Sequence, residues 1–212
     1  TPAHCEEVLA LINERIRTRK PAAYLTHQAW LQGAPFYVDE RVIVPRSFIA
    51  ELLADPELGE ALDAWLSVDT DRVLDLCTGN GSLAVLAAMA YPQVQVDGAD
   101  LSTDALDVAR INVRRHGLAE RITLIESDGL AALTGPYDLI LCNPPYVNSA
   151  SMQQLPAEYR AEPELALAGG RQHRLALAVV QREQDIDVGG ETVVHGLYLH
   201  IADAVGIVEG DL

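Results

Sequence analysis

What most constrains the fold is a series of short apolar segments from Arg72 to Cys142, alternating with stretches of helical spacing and punctuated by glycine, proline and aspartate. Such alternation is the mark of parallel strands joined by crossover helices. It predicts strands over Val73 to Cys77, Val94 to Ala99, Ile122 to Glu126 and Tyr137 to Cys142, with helices over Ser82 to Ala90 and Thr103 to His116. The connection from Gly129 to Pro136 has room for only a brief helix. The expected architecture is a doubly wound, Rossmann-like α/β domain.

Upstream, Val8, Leu9, Leu11, Ile12 and Ile16 recur at helical spacing until Lys20-Pro21, where proline stops the helix. The segment from Tyr24 to Val44 is aromatic and β-branched, broken by Gly33, Pro35 and Asp39-Glu40-Arg41, as strands joined by turns are. Ser47 is placed to cap a helix carrying Ile49, Leu52 and Leu53. These readings divide the chain into an N-terminal helical remnant over 1–21, a β-hairpin linker over 22–47 and the main domain over 48–212. Beyond Gly170 the pattern weakens, with a helix expected over Leu175 to Gln184 and a strand over Glu191 to Leu199.

Charge narrows the partners. The net charge of −16 on 212 residues repels a phosphate backbone, which argues against naked nucleic acid and favours a basic protein partner. Cys5, Cys77 and Cys142 form neither a disulfide framework nor a zinc pattern, and no HExxH occurs, so no metal is expected and a reducing cytoplasm suits the chain. Cys77 and Cys142 read as small buried thiols, and His195 and His200, five apart, do not share a helical face. The acidic stretch from Asp55 to Asp69 reads as a solvated face. No apolar run approaches the ~18 residues of a membrane span, and no signal-peptide pattern opens the chain. The oligomeric state is not readable from these residues.

Two motifs carry chemistry. Asp75-Leu76-Cys77-Thr78-Gly79-Asn80-Gly81 lies where the first strand of the alternation gives way to a helix, so its glycines let the backbone turn tightly against a ligand. Asp100 ends the next strand, positioned for ribose hydroxyls, and Asp128 follows the third, positioned for an adenine amine. Gly79, Gly81 and Ala84 also satisfy the dinucleotide pattern G-x-G-x-x-G/A, which leaves a nicotinamide cofactor open. Asp75, four residues before Gly79, tilts the choice toward S-adenosylmethionine, whose amino group or ordered water it would reach.

The second motif, Asn143-Pro144-Pro145-Tyr146, follows the apolar strand Leu139 to Cys142 at the carboxyl edge of the sheet. A planar amide or exocyclic amine nitrogen is a poor nucleophile because its lone pair is delocalised. Asn143 would accept one N–H through its carboxamide oxygen and the Pro144 carbonyl the other, aiming the lone pair at an electrophilic methyl group. Tyr146 would pack on the substrate plane or near the sulfonium.

With these residues in view the chain resembles the N(5)-glutamine methyltransferase family, which places Asn-Pro-Pro-Tyr on a seven-stranded S-adenosylmethionine-dependent methyltransferase fold. The resemblance runs from about Ala22 to Gly170. Tyr24-Leu25-Thr26, Ala29-Trp30, Phe36 to Arg41 and Val44-Pro45-Arg46-Ser47 resemble the ribosomal branch, whose substrate is large-subunit ribosomal protein L-three. Glu162 to Gly170 matches the family as part of the substrate pocket rim. The resemblance implies cofactor contacts at Asp75, Cys77, Thr78, Gly79, Gly81, Asp100, Leu101, Asp128, Gly129 and Asn143, catalysis by Asn143, Pro144 and Tyr146, and substrate contacts at those three with Pro145 and Arg46.

Two departures stand out. Phe48 replaces the branch's usual proline, and Arg171-Gln172-His173-Arg174 replaces the Asp-Gly expected after Gly170, so 171–212 diverges and the final strands are expected to be incomplete or remade. The chain also opens without methionine and with little of the family's helical domain, as a fragment would. Three alternatives stay open: glutamine methylation of peptide-chain release factors, adenine amine methylation of nucleic acid, and a catalytically impaired cofactor-binding protein.

Overall fold

A computed structural model describes residues 2–54, 70–145, 147–148, 155–156, 158–170 and 178–181. The acidic stretch over 55–69, Tyr146 and the strand expected over 191–199 lie outside the described residues.

Helix α1 (Pro2–Thr18) ends just before the Lys20-Pro21 stop. Its apolar residues are on the surface: Val8, Leu9, Leu11, Ile12 and Ile16 are all exposed. The linker opens differently from the expected strand, because Tyr24 belongs to a short helix α2 (Ala22–Thr26), which ends at His27 in the left-handed region. Tyr24 is buried and its hydroxyl donates to the Val42 carbonyl, which ties the two ends of the linker together. The hairpin is confined to β1 (Ala29–Leu31) and β2 (Ala34–Phe36), paired antiparallel. Its two turn residues, Gln32 and Gly33, have φ of 48° and 75°, the doubly positive pair that matches the twist of a tight hairpin. Helix α3 (Phe48–Ala54) follows, and Ser47 Oγ accepts from the Ile49 amide at 3.2 Å. Phe48, in place of proline, is exposed.

The alternation beyond Thr70 folds as expected, with ends shifted by one or two residues. Strands β3 (Arg72–Leu76), β4 (Gln95–Asp100), β5 (Ile122–Glu126) and β6 (Leu139–Cys142) are parallel, connected through α4 (Ser82–Ala90) and α5 (Thr103–Arg115). The strand after Pro136 starts at Leu139 rather than Tyr137, because Asp138 turns its carboxylate to the Asp71 and Arg72 amides at 2.9 and 3.0 Å.

Helix α4 is apolar all round and buried from Ser82 to Ala88, packed between α3 and the sheet. Helix α5 is amphipathic and capped by Ser102 Oγ, which accepts from the Ala105 amide at 3.2 Å. Its Ala105 and Val108 pack with Tyr24, Ala29, Val38 and Val42, so the linker rests on α5 in a second small core.

A further expectation is overturned towards the end of the chain. Ala178–Gln181, placed within a helix over Leu175 to Gln184, is instead a strand, β9, antiparallel to β6 with Val179 opposite Leu141 and Val180 opposite Ile140. A short apolar run has no distinctive period, and the free edge of β6 supplies the backbone partners that decide it. Helix α6 (Glu164–Leu167) leads into β8 (Ala168–Gly170), which pairs with β7 (Val147–Asn148) in a small separate ladder. The order of the main sheet is β5-β4-β3-β6-β9, so the chain runs one way from β3 to β5 and then crosses to β6 on the other side. That reversal opens a crevice at the carboxyl ends of β3 and β6.

Candidate functional site

The crevice holds a cavity of about 420 Å³ walled by the β3 turn, the ends of β4 and β5, the Asn143 turn, the linker at Arg41 to Ile43 and the α6 segment. Expected cofactor residues Cys77, Gly79, Asp100, Leu101, Asp128, Gly129 and Asn143 line it, as does Pro145.

The turn after β3 is built by its own backbone. Cys77, Gly79 and Gly81 all have positive φ, at 60°, 54° and 79°. Gly79 is bare on its outer side: a Cβ there would meet nothing within 4 Å, so the backbone faces the cavity uncovered. Gly81 has the opposite surroundings, since a Cβ would come within 3.1 Å of Ala109 Cβ on α5. Its role is the close approach of α4 to α5, and it does not line the cavity.

Asp100 fastens the turn to β4. Its Oδ2 accepts from the Gly79 amide at 2.8 Å and its Oδ1 from the Ser102 amide at 2.9 Å. Each oxygen keeps a further lone pair for a ligand hydroxyl. Asp75 is placed otherwise than expected, fully buried beneath the turn rather than in the cavity wall. Its Oδ2 accepts from the Thr78 hydroxyl at 2.6 Å and the Ala84 amide at 2.9 Å, which explains why Thr78 is also buried. Among the described residues the Asp75 Oδ1 has no hydrogen-bond partner, and burial raises the carboxyl to a pKa of about 7, against the lowering effect of those two bonds.

Asn143 sits at the junction of cofactor turn and substrate side. Its Nδ2 donates to the Arg46 carbonyl at 3.4 Å, which orients the carboxamide and leaves Oδ1 without a partner among the described residues. Pro144 does not line the cavity. Arg46 is also outside the cavity wall: its guanidinium pairs with the buried Glu162 and lies 4.7 Å over the Tyr159 ring. Burial raises the Glu162 carboxyl and Arg46 opposes the rise, so the pair locks the linker to the segment before α6.

Two residues escaped the sequence reading. Arg41 lines the cavity, held by Asp39 through its Nε and Nη2 at 3.0 and 2.6 Å; the Asp-Glu-Arg cluster looked like a turn. Asn112 is fully buried on α5, accepts from the Tyr37 amide at 2.7 Å and donates to the carbonyls of Tyr37 and Asn80 at 3.0 and 2.9 Å. It joins the linker to the cofactor turn, and its one visible signal was a polar residue on the apolar face of a helix.

The strand order, the crevice and the glycine turn closed by an acidic strand end make this a Rossmann-like α/β domain with a cavity at its switch point. The methyltransferase small domain family matches residues 58–161. By sequence the chain is similar to the ribosomal protein uL3 glutamine methyltransferases. It is 55% identical to that of Bordetella pertussis over 80% of this chain and 56% of the relative, and 55% identical to that of Neisseria meningitidis serogroup B over 79% and 54%. That of Bradyrhizobium diazoefficiens is 53% identical over 80% and 54%. The chain thus spans about half the length of the curated relatives it matches. The solved hMettl16 catalytic domain in complex with a 3'UTR hairpin aligns with a TM-score of 0.49 and 13% identity over 64% of this chain and 50% of its own, too distant to bear on function.

Proposed function

We propose that this chain is the catalytic part of an S-adenosylmethionine-dependent methyltransferase that methylates the side-chain amide nitrogen of a glutamine in ribosomal protein uL3. The observation that carries the reading is Asn143. It stands just after β6 on the wall of a cavity that the Gly79 turn and Asp100 also line, in a chain 55% identical to relatives of that name. The residues present fit the cofactor: a cavity of about 420 Å³, an uncovered glycine backbone and a carboxylate already aligned by two amides.

Asp100 would take the ribose hydroxyls and Asp128 and Gly129 the adenine end. Bound S-adenosylmethionine supplies an electrophilic methyl group on a sulfonium. The chain's own work is to hold the acceptor: Asn143 Oδ1 would take one amide hydrogen and the Pro144 carbonyl, on the turn beside the cavity, the other, with Tyr146 assigned to the amide plane only by the family resemblance. Fixing both hydrogens favours the pyramidal nitrogen and lowers the barrier by positioning, not by proton abstraction. An acidic enzyme of net charge −16 suits a basic substrate, and attraction of this kind acts mainly on encounter. The work of this chain is expected in the cytoplasm, and among the described residues no helix is long and apolar enough to cross a membrane.

Calorimetry tests the cofactor half of the reading. Asp100→Ala removes a charged acceptor worth about 1.5 to 3 kcal/mol, so S-adenosylmethionine affinity is expected to fall by about 10- to 150-fold. Unchanged affinity in a folded variant would show that the crevice is not the cofactor site.

A further inference from the structure

The cavity wall is unevenly charged. Asp100 and Asp128 both line it, and Arg41 is the one cationic residue among the described residues that do. Arg41 is also held in place. Its Nε donates to Asp39 Oδ1 at 3.0 Å and its Nη2 to Asp39 Oδ2 at 2.6 Å, so that carboxylate takes the Nε–Nη2 edge of the guanidinium. Asp39 is buried and fixed in turn, accepting from the Tyr37 hydroxyl at 3.0 Å and from the Arg41 amide at 3.1 Å. Val42, the next residue, is fully buried and its amide donates to the Asp39 carbonyl at 3.2 Å, so the backbone that carries Arg41 is anchored in the core.

We propose that the Nη1 side of Arg41 binds the carboxylate at the amino-acid end of S-adenosylmethionine, an assignment that rests on the cofactor reading given above. A guanidinium has five N–H donors, and among the described residues Arg41 uses only its Nε and Nη2. The edge that remains, Nη1 with the second Nη2 hydrogen, matches a carboxylate in two parallel hydrogen bonds. The cofactor has one anionic group, this carboxylate, since its ribose and adenine are neutral and its sulfonium and amino group are cationic. Entering a crevice lined by two aspartates, a carboxylate is repelled and desolvated unless a cation compensates. Arg41 is that cation. With the ribose on Asp100 and the adenine at Asp128 and Gly129, the rest of the wall is left to the amino-acid tail, and Arg41 belongs to it.

Asp39 gives the contact its value. A side chain already fixed by one carboxylate loses little freedom when it takes a second, so less of the binding energy is spent on ordering it. The linker then serves both ligands, the cofactor through Arg41 and the substrate side through Arg46, whose carbonyl accepts from Asn143 Nδ2 at 3.4 Å.

The assignment is tested by calorimetry on the full chain with S-adenosylmethionine and with decarboxylated S-adenosylmethionine, which lacks this one group. The unaltered chain is expected to bind the carboxylated ligand about tenfold or more tightly than the other, as a charge-assisted pair requires. In Arg41→Gln the affinity for S-adenosylmethionine should fall by that factor while the affinity for the decarboxylated ligand holds, so that the preference disappears. Equal affinities for the two ligands in the unaltered chain would overturn the assignment without any variant having to fold. A preference that survives in folded Arg41→Gln would overturn it as well. So would a raised KM for uL3 with cofactor affinity unchanged, which would give the guanidinium to the substrate. An unaltered chain that binds neither ligand would overturn the cofactor reading itself, and this assignment with it.

Discussion

Asp75 shows how one carboxylate can support a turn at a cost in stability. Its hydrogen bonds to Thr78 and Ala84 shape the cofactor loop, but full burial raises its pKa to about 7. In the unfolded chain an aspartate titrates near ~4, so between about pH 4 and pH 7 the folded state binds the extra proton. The sign follows: this group lowers stability as pH rises through that window, by up to about 1.4 kcal/mol per pH unit, and adds no slope above it. Asp75→Asn should flatten that part of the pH dependence in urea unfolding between pH 5 and pH 7. Parallel slopes for the variant and the parent would show that the carboxyl is ionised throughout.

Asn143 belongs to the same scale with the opposite character, since its Oδ1 has no partner among the described residues and is the atom proposed to hold the substrate amide. Asn143→Ala should abolish methyl transfer while S-adenosylmethionine affinity stays within a few fold, because the lost bond is to the substrate amide. Near-normal turnover would rule out the alignment mechanism.

At the scale of elements, the linker and the α/β core are joined through α5. Asn112 satisfies both backbone groups of Tyr37 and the Asn80 carbonyl from a fully buried position. Asn112→Leu strands those groups, each worth about 1 to 3 kcal/mol when buried and unpaired. Chemical denaturation should therefore show a loss of at least ~2 kcal/mol, and a change within half a kcal/mol would mean that water replaces the side chain. Elements with strong local signals were legible from sequence: α4 occupies Ser82–Ala90 as its unbroken apolar run between Gly81 and the Tyr91-Pro92 stop requires. Asn112 was not, because its partner Tyr37 is 75 residues away. Nor was β9, whose four residues became a strand through pairing with β6 rather than through any period of their own. The site divides likewise. Gly79, Asp100 and Asn143 announce themselves by following strands, whereas the burial of Asp75 beneath its own turn and the Arg46–Glu162 lock depend on packing.

At the scale of the whole molecule, an acidic chain carries a cavity walled by the turn after β3, the linker and the α6 segment. Its net charge of −16 favours a basic polypeptide over a phosphate backbone. The linker residues that resemble the ribosomal branch pack on α5 and reach the site through Arg41 to Ile43. The most direct measurement is transfer of a labelled methyl group from S-adenosylmethionine to ribosomal protein uL3, free and unassembled, beside a peptide-chain release factor and an adenine oligonucleotide, with mass-spectrometric localisation of the label. Label on a glutamine side chain of uL3, transferred faster than to the release factor, is the predicted result. Faster methylation of the release factor would contradict the substrate, and label on adenine would contradict the class of reaction.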